Sequence, residues 1–204
     1  MRDTTAMGRP REFDEDEILL KIMSLFWEHG YEGTSLRDIM QATDLRKGSL
    51  YAAFGDKHAM YLKAIARYEA LVVDGAADDL RAVAPMEGVS AFLSVPIDAA
   101  WSQGDRRGCF LCNASADKAS EDAETQAMVS RGFDKLERAL AEAVAALAPQ
   151  LAPPEIQSTA TMLLSVYVGL RVMARSGAGR ERMEGARDAA MANLARLATA
   201  GSGN

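Results

Sequence analysis

An all-α fold is what this sequence predicts, and three observations predict it. Apolar residues recur at helical spacing in one segment after another, as in Ile18, Ile22, Leu25 and Phe26. Alanine-rich stretches stand where β-branched runs would mark strands, and no stretch alternates long enough to compete. Glycine and proline fall between the periodic segments, at His29-Gly30, at Gly55-Asp56, and in 85–88, 104–108, 149–154 and 177–179. The expectation is about nine helices. An N-terminal three-helix head carries a helix-turn-helix, and a larger C-terminal helical domain follows.

The elements follow in order. Helix 1 covers 14–30, opened by Asp14, Glu15, Asp16 and Glu17, whose carboxylates suit the positive end of the helix dipole. Thr34 is a suitable N-cap for helix 2, which buries Leu36, Ile39 and Met40. A turn through 43–45 leads to helix 3 over 47–54, burying Leu50 and Phe54. Asp56 caps the next helix, which places Met60, Ala64, Ile65, Tyr68 and Leu71 on one face. This division assigns 1–57 to an arm and DNA-binding head and 58–204 to the regulatory domain, with 58–81 as the connecting helix.

Beyond the junction at 85–88 lie a helix over 89–103, which Pro96 should kink, and a segment over 109–119. Helices over 122–147, 154–175 and 180–198 complete the chain. In the penultimate helix Ile156, Met162, Leu163, Val166, Leu170 and Met173 are available to bury. Val166, Leu170 and Met173, with Met183, Ala190, Leu194 and Leu197 on the last helix, predict a homodimer through a two-fold four-helix interface. Packing inside one chain is the alternative.

Bulk properties narrow the function classes. The 204 residues suffice for one medium domain or two small ones. No segment approaches the roughly 20 uninterrupted apolar residues of a membrane span, and the N-terminus lacks the apolar core of a secretory signal. A cytoplasmic protein without a membrane partner is expected. Two cysteines, Cys109 and Cys112, are too few for a disulfide scaffold. The net charge of −6 requires that any nucleic-acid partner meet a local basic face. Arg2, Arg9 and Arg11 ahead of helix 1, and Arg46, Lys47 and Lys57 around helix 3, supply one, and binding should depend strongly on salt.

Residues 34–57 read as two short helices joined by a tight turn, the second opening with cationic and hydroxyl groups, which is how a helix-turn-helix addresses the major groove. Three runs carry a wider pattern: Gly-Arg-Pro-Arg-Glu-Phe-Asp at 8–14, Leu-Phe-Trp-Glu-His-Gly-Tyr-Glu-Gly-Thr-Ser-Leu-Arg-Asp-Ile at 25–39, and Gly-Ser-Leu-Tyr-Ala-Ala-Phe-Gly-Asp-Lys at 48–57. Over its first third the chain resembles the TetR family of bacterial transcriptional regulators. The resemblance implies a homodimeric repressor of a palindromic double-stranded DNA operator, whose C-terminal domain binds an inducer and moves the two heads apart.

Transferred position by position, the resemblance makes Lys47, Gly48 and Ser49 base-reading residues and Tyr51 and Lys57 phosphate contacts. Lysine donates to guanine, serine pairs with several bases, and Gly48 permits close approach. The amides of Thr34 and Ser35 sit at a helix N-terminus, which favours a phosphate. Arg9 and Arg11 resemble an arm for the adjacent minor groove, and Arg46 suits either base or phosphate.

The segment 106–117 reads Arg-Arg-Gly-Cys-Phe-Leu-Cys-Asn-Ala-Ser-Ala-Asp. Similar Gly-Cys-x-x-x-Asn segments occur in a TetR branch that includes sensors of electrophiles, acrylate and copper. If Cys109 opens a helix, the dipole and Arg106 or Arg107 favour a thiolate, with Cys112 one turn on as a resolving thiol. Two readings compete with this thiol or electrophile sensor. Both cysteines are structural beside a pocket for a small apolar effector, with Phe92, Trp101, Phe110, Asn113, Met128, Phe133, Met162 and Tyr167 as candidate lining. Or the thiolates hold a metal, although they supply two ligands only and both histidines, His29 and His58, lie in the head. No cofactor and no dedicated metal site are assigned. The rival class is an enzyme, a helical thiol oxidoreductase using Cys109 and Cys112; it is disfavoured because a thioredoxin-like C-x-x-C belongs beside a βαβ unit.

Overall fold

Asp14 starts the first helix. Its carboxylate accepts from the amides of Asp16 and Glu17, and α1 (Glu15–Gly33) follows with acids in its first turn. The computed structural model describes residues 13–200, so Arg9 and Arg11 of the expected arm lie outside the described residues. At Gly30 the backbone takes φ +75°, which ends the straight part of α1 where the sequence placed its stop; one more turn reaches Gly33.

The start of α2 corrects the sequence reading. Thr34 is fully buried, its hydroxyl donating to the carbonyls of Gly30 (2.8 Å) and Leu25 (3.3 Å) and its amide to the Tyr31 carbonyl. It locks the end of α1. The cap of α2 (Leu36–Thr43) is Ser35, in a reciprocal capping box with Asp38. Asp44 in the left-handed region (φ 56°) makes the turn, and α3 (Lys47–Phe54) buries Leu50 and Phe54 as expected.

The connecting rod holds the second departure. α4 (Lys57–Tyr68) passes through a π-helical turn, Glu69–Val73, into α5 (Asp74–Ala82). The π turn takes one residue more than an α turn, so the buried face moves from Tyr68 to Glu69, Val73, Ala77 and Leu80. Leu71, expected on that face, is 46% exposed. Glu69 instead turns inward and pairs with Arg131 (2.9 Å) and Lys135 (2.9 Å), which hold its carboxylate below the usual range, Arg131 most strongly. A carboxyl with a lowered folded pKa contributes stability that is complete above its unfolded pKa and fades as pH falls through the folded value. Glu69→Gln is therefore expected to cost about 1–3 kcal/mol at pH 7. It should also flatten the acid limb of a urea stability series between pH 6 and pH 3; a variant as stable as wild type at pH 7 would deny the pair that role.

The remaining helices are α6 (Pro85–Trp101), α7 (Phe110–Asp117), α8 (Ala123–Leu147), α9 (Pro153–Arg175) and α10 (Arg180–Ala200). α6 runs through Pro96 without interruption. The described residues contain no strand, and because α4 and α5 form one rod the ten α-helical segments make nine rods. Helix α1 packs on α4 and α2; α5, α6, α8 and α9 form the regulatory bundle, with α10 laid on α6 and α9. Between them lies α7, in contact with α1, α4 and α8. Gly132 admits it: a Cβ there would stand 2.5 Å from Leu111 of α7.

The apolar stripes of the last two helices are spent differently from the expectation. Leu170, Met183, Ala190 and Leu194 are buried within the chain itself, and Val166, Met173 and Leu197 are half-buried. Exposed on these helices are Thr161, Ser165 and Val172 of α9 and Gly185, Ala189 and Ala192 of α10, the last three flanked by charged Glu181, Arg182, Asp188 and Arg196.

Candidate DNA interface and thiol site

The turn at Asp44 and the break at Gly55 isolate α3 as a short helix with one apolar face inward and its opposite face outward. Arg46, Lys47, Gly48, Ser49 and Ala52 are exposed together, and a Cβ at Gly48 would meet nothing within 4 Å. Tyr51 stands 39% exposed with the Lys47 ammonium 5.4 Å from its ring centre. Lys57 lies over the Tyr31 ring at 4.3 Å, at the edge of the same surface. The capping box uses the amide and hydroxyl of Ser35 on Asp38, and Thr34 faces the core. Neither supplies the phosphate contact expected of it. The amides left to a phosphate at this terminus are those of Leu36 and Arg37, and exposed Arg37 adds a cation that the sequence reading passed over.

The second site is built where α7 begins. Gly108 has φ +77°, and a Cβ there would stand 3.2 Å from the Arg171 carbonyl, so the strand of chain entering α7 runs tight against α9. Cys109 is the N-cap residue of α7 and is buried; Cys112, one turn on, is half-buried. The Cys112 thiol donates to Cys109, and this bond does most to lower the Cys109 pKa, to about 6, against the opposing effect of burial. The Cys112 amide, the Arg171 charge and the Tyr68 hydroxyl, which donates to Cys109 Sγ at 3.6 Å, act in the same direction. Cys112 is pushed up in turn and keeps its proton. The two shifts oppose each other, so of the pair Cys109 is the thiol that ionises more readily.

The cation that favours the thiolate is not the one expected. Arg107 lies over the Trp27 ring (3.9 Å) and pairs with Asp105, and Arg106 lies over Trp101. The charge at Cys109 comes from Arg171, 62 residues further along the chain and only 7% exposed. Its guanidinium is bonded to the Tyr167 hydroxyl (3.0 and 2.7 Å) and makes no carboxylate ion pair among the described residues.

A cleft of about 190 Å³ lies between α7 and α9, walled by Cys109, Cys112, Asn113, Arg171, Val172, Arg175 and Ser176. The expected aromatic lining is elsewhere. Phe110 is buried between the edges of Tyr61 and Tyr68, Phe92 stacks on Tyr167 at 4.1 Å, and Trp101 is 41% exposed on the surface. Met128, Phe133 and Met162 are half-buried and do not reach the cleft. Tyr167 acts from behind, through Arg171.

Sequence reasoning missed what α7 holds at its other side. Asn113 donates to the carbonyls of Trp27 and Arg107 (both 3.1 Å), Asp117 accepts from the Tyr31 amide, and Arg107 donates to Ser24. Every one of these bonds to α1 spans more than eighty residues, which leaves no local signal. The helix capped by Cys109 ends on the turn that leads into α2.

Comparison with known proteins agrees with this architecture. The family model for bacterial regulatory proteins of the tetR family matches residues 18–64. The uncharacterized HTH-type transcriptional regulator YezE of Bacillus subtilis is 30% identical over 136 residues, which is 65% of this chain and 69% of YezE. The HTH-type transcriptional repressor ComR of Escherichia coli is 48% identical over 61 residues, 30% of this chain and only 29% of ComR. Among solved structures, a cysteine mutant of the TetR family transcriptional regulator CifR complexed with 26-base-pair operator DNA superposes with a TM-score of 0.78 at 31% identity, covering 90% of this chain and 98% of that one. A helix-turn-helix head, a helical bundle and relatives similar along most of their length lead to one conclusion: the chain belongs to the TetR family of bacterial transcriptional regulators.

Proposed function

We propose that the protein is a dimeric repressor that leaves a palindromic operator when a small electrophile alkylates Cys109. The observation that carries this reading is α7, which has a low-pKa thiol at its first turn and grips the DNA-binding head through Asn113 and Asp117. The Cys109 thiolate attacks the electrophilic carbon and an S–C bond forms; in conjugate addition the C=C π pair moves onto the enolate, whose α-carbon takes a proton from water, and in displacement the leaving group departs with the electron pair as its anion. The adduct must fit into a cleft of about 190 Å³ between α7 and α9, so α7 shifts and takes Trp27 and Tyr31 with it. The division near residue 57 into head and regulatory domain is part of the same reading.

The head supports the DNA half of the proposal. Arg46, Lys47 and Ser49 face out around an unobstructed Gly48 to read base edges, while Tyr51, Lys57 and the α2 N-terminus take phosphates. Dimerisation through α9 and α10 brings two such heads to one two-fold axis. Small residues stand among their exposed positions, and a Cβ at Gly169 or Gly185 would meet nothing within 4 Å, which leaves room for a second copy at those points.

Fluorescence anisotropy with a duplex from the promoter beside its own gene tests the whole. Wild type should bind with a steep salt dependence, and Lys47→Ala should weaken binding about tenfold. Added N-ethylmaleimide should release wild type and Cys112→Ser but not Cys109→Ser. Release of Cys109→Ser would reject the thiol switch. Loss of release in Cys112→Ser, with Cys109→Ser still released, would move the reactive thiol to Cys112.

A further inference from the structure

A second chemical cluster joins the head to the bundle and includes neither thiol. His58 stands in the first turn of α4, directly after the recognition helix. Asp122 is the N-cap of α8 and Glu124 lies in its first turn. Donor atoms of the three lie within 4.8 Å of one another, and His58 Nε2 is 2.9 Å from Asp122 Oδ2. Two donors held cis at about 2.1 Å around an octahedral ion stand roughly 3 Å apart, so that edge already has the span a cation requires. One turn further along α4, the hydroxyl of fully buried Tyr61 has no hydrogen-bond partner, and the charges that act on it most are those of Asp117 and Asp122. A buried hydroxyl without a partner, under the field of two carboxylates, is a group for which a bound species nearby would account.

We propose that His58, Asp122 and Glu124 bind a borderline divalent metal ion, Mn²⁺ or Zn²⁺, which ties the first turn behind the recognition helix to the regulatory bundle. The donor set selects the class. One imidazole with two carboxylates suits first-row divalent ions, is too nitrogen-rich for Mg²⁺ or Ca²⁺, and lacks the sulfur that Cu(I) prefers. Three protein ligands leave the other positions to water. The proposal is independent of the thiol reading, since no ligand comes from Cys109 or Cys112.

Purified full-length protein, stripped with EDTA and titrated with Mn²⁺, Zn²⁺ and Co²⁺ by calorimetry, provides the test. One ion per chain is expected, with affinity lowered at least tenfold in Glu124→Gln and in His58→Asn. Exposed Glu124 is outside the core, so its variant should keep the fold and lose the metal-dependent rise in melting temperature. The Co²⁺ complex should show d–d bands without a sulfur-to-metal charge-transfer band, and the spectrum should persist in the Cys109→Ser, Cys112→Ser double variant. No binding by wild type at 1 mM ion, on the order of the weakest biological sites, would overturn the proposal. So would full binding by both ligand variants, or loss of the site in the cysteine double variant.

Discussion

Iodoacetamide is expected to label Cys109 with a rate that climbs from pH 5, reaches half its plateau near pH 6 and is flat above about pH 7. The sign follows from the thiolate being the nucleophile: a pKa lowered to about 6 keeps the reactive form populated through neutrality. Burial of Cys109 slows access equally at every pH and so changes the height of the profile, not its midpoint. In Arg171→Met, which keeps the volume and removes the buried charge, the midpoint should rise by about one unit or more, equivalent to about 1.4 kcal/mol. Mass spectrometry of quenched time points between pH 5 and pH 9 reads both. A wild-type midpoint above 8 would rule out the pre-formed thiolate. An unmoved midpoint in Arg171→Met would leave Cys112 and Tyr68 as its entire support.

The second large effect separates sensing from response. With Asn113→Ala and Asp117→Asn combined, α7 loses its bonds to Trp27 and Tyr31 but keeps its first turn and the thiols. Labelling of Cys109 should keep its pH midpoint, since none of the groups that lower its pKa is changed. Operator release on labelling should shrink from a change of roughly tenfold or more, the usual range of allosteric coupling, to less than about threefold. Anisotropy on labelled and unlabelled protein measures the ratio. Full release by the double variant would show that the signal travels by another route, the Tyr68 contact into α4 being the next in line.

Where the sequence succeeded, the governing interactions are local. The cap at Asp14, the stop at Gly30, the turn before Lys47 and the buried pair Leu50 and Phe54 all follow from residues a few positions apart. The sequence left open whether Cys109 opens a helix; with Gly108 at φ +77° it is the N-cap of α7. The failures have one physical kind each. Thr34 and Ser35 are both good caps, and only the carbonyls of Leu25 and Gly30 decide that Thr34 turns inward. Arg106 and Arg107 stand next to Cys109 in sequence, yet two tryptophan faces hold them and a distant arginine supplies the charge. Apolar periodicity shows that Leu170 and Leu194 are buried without showing against what. His58 and Asp122 meet across 64 positions, a separation at which motif spacing says nothing.

The π turn at Glu69–Val73 has a consequence for how this protein tolerates changes in length. It stores one residue beyond what an α-helical path requires. Removing a single residue within it converts the turn to α and leaves Tyr68 and Leu80 facing as they do now. The same deletion elsewhere in α4 or α5 swings every later side chain by about 100° around the axis. The rod between head and bundle therefore carries its slack beside Tyr68, the residue that touches the thiol. Chain shortening at that point leaves the fold in phase, while the ion pairs of Glu69 and the hydroxyl on Cys109 register the change.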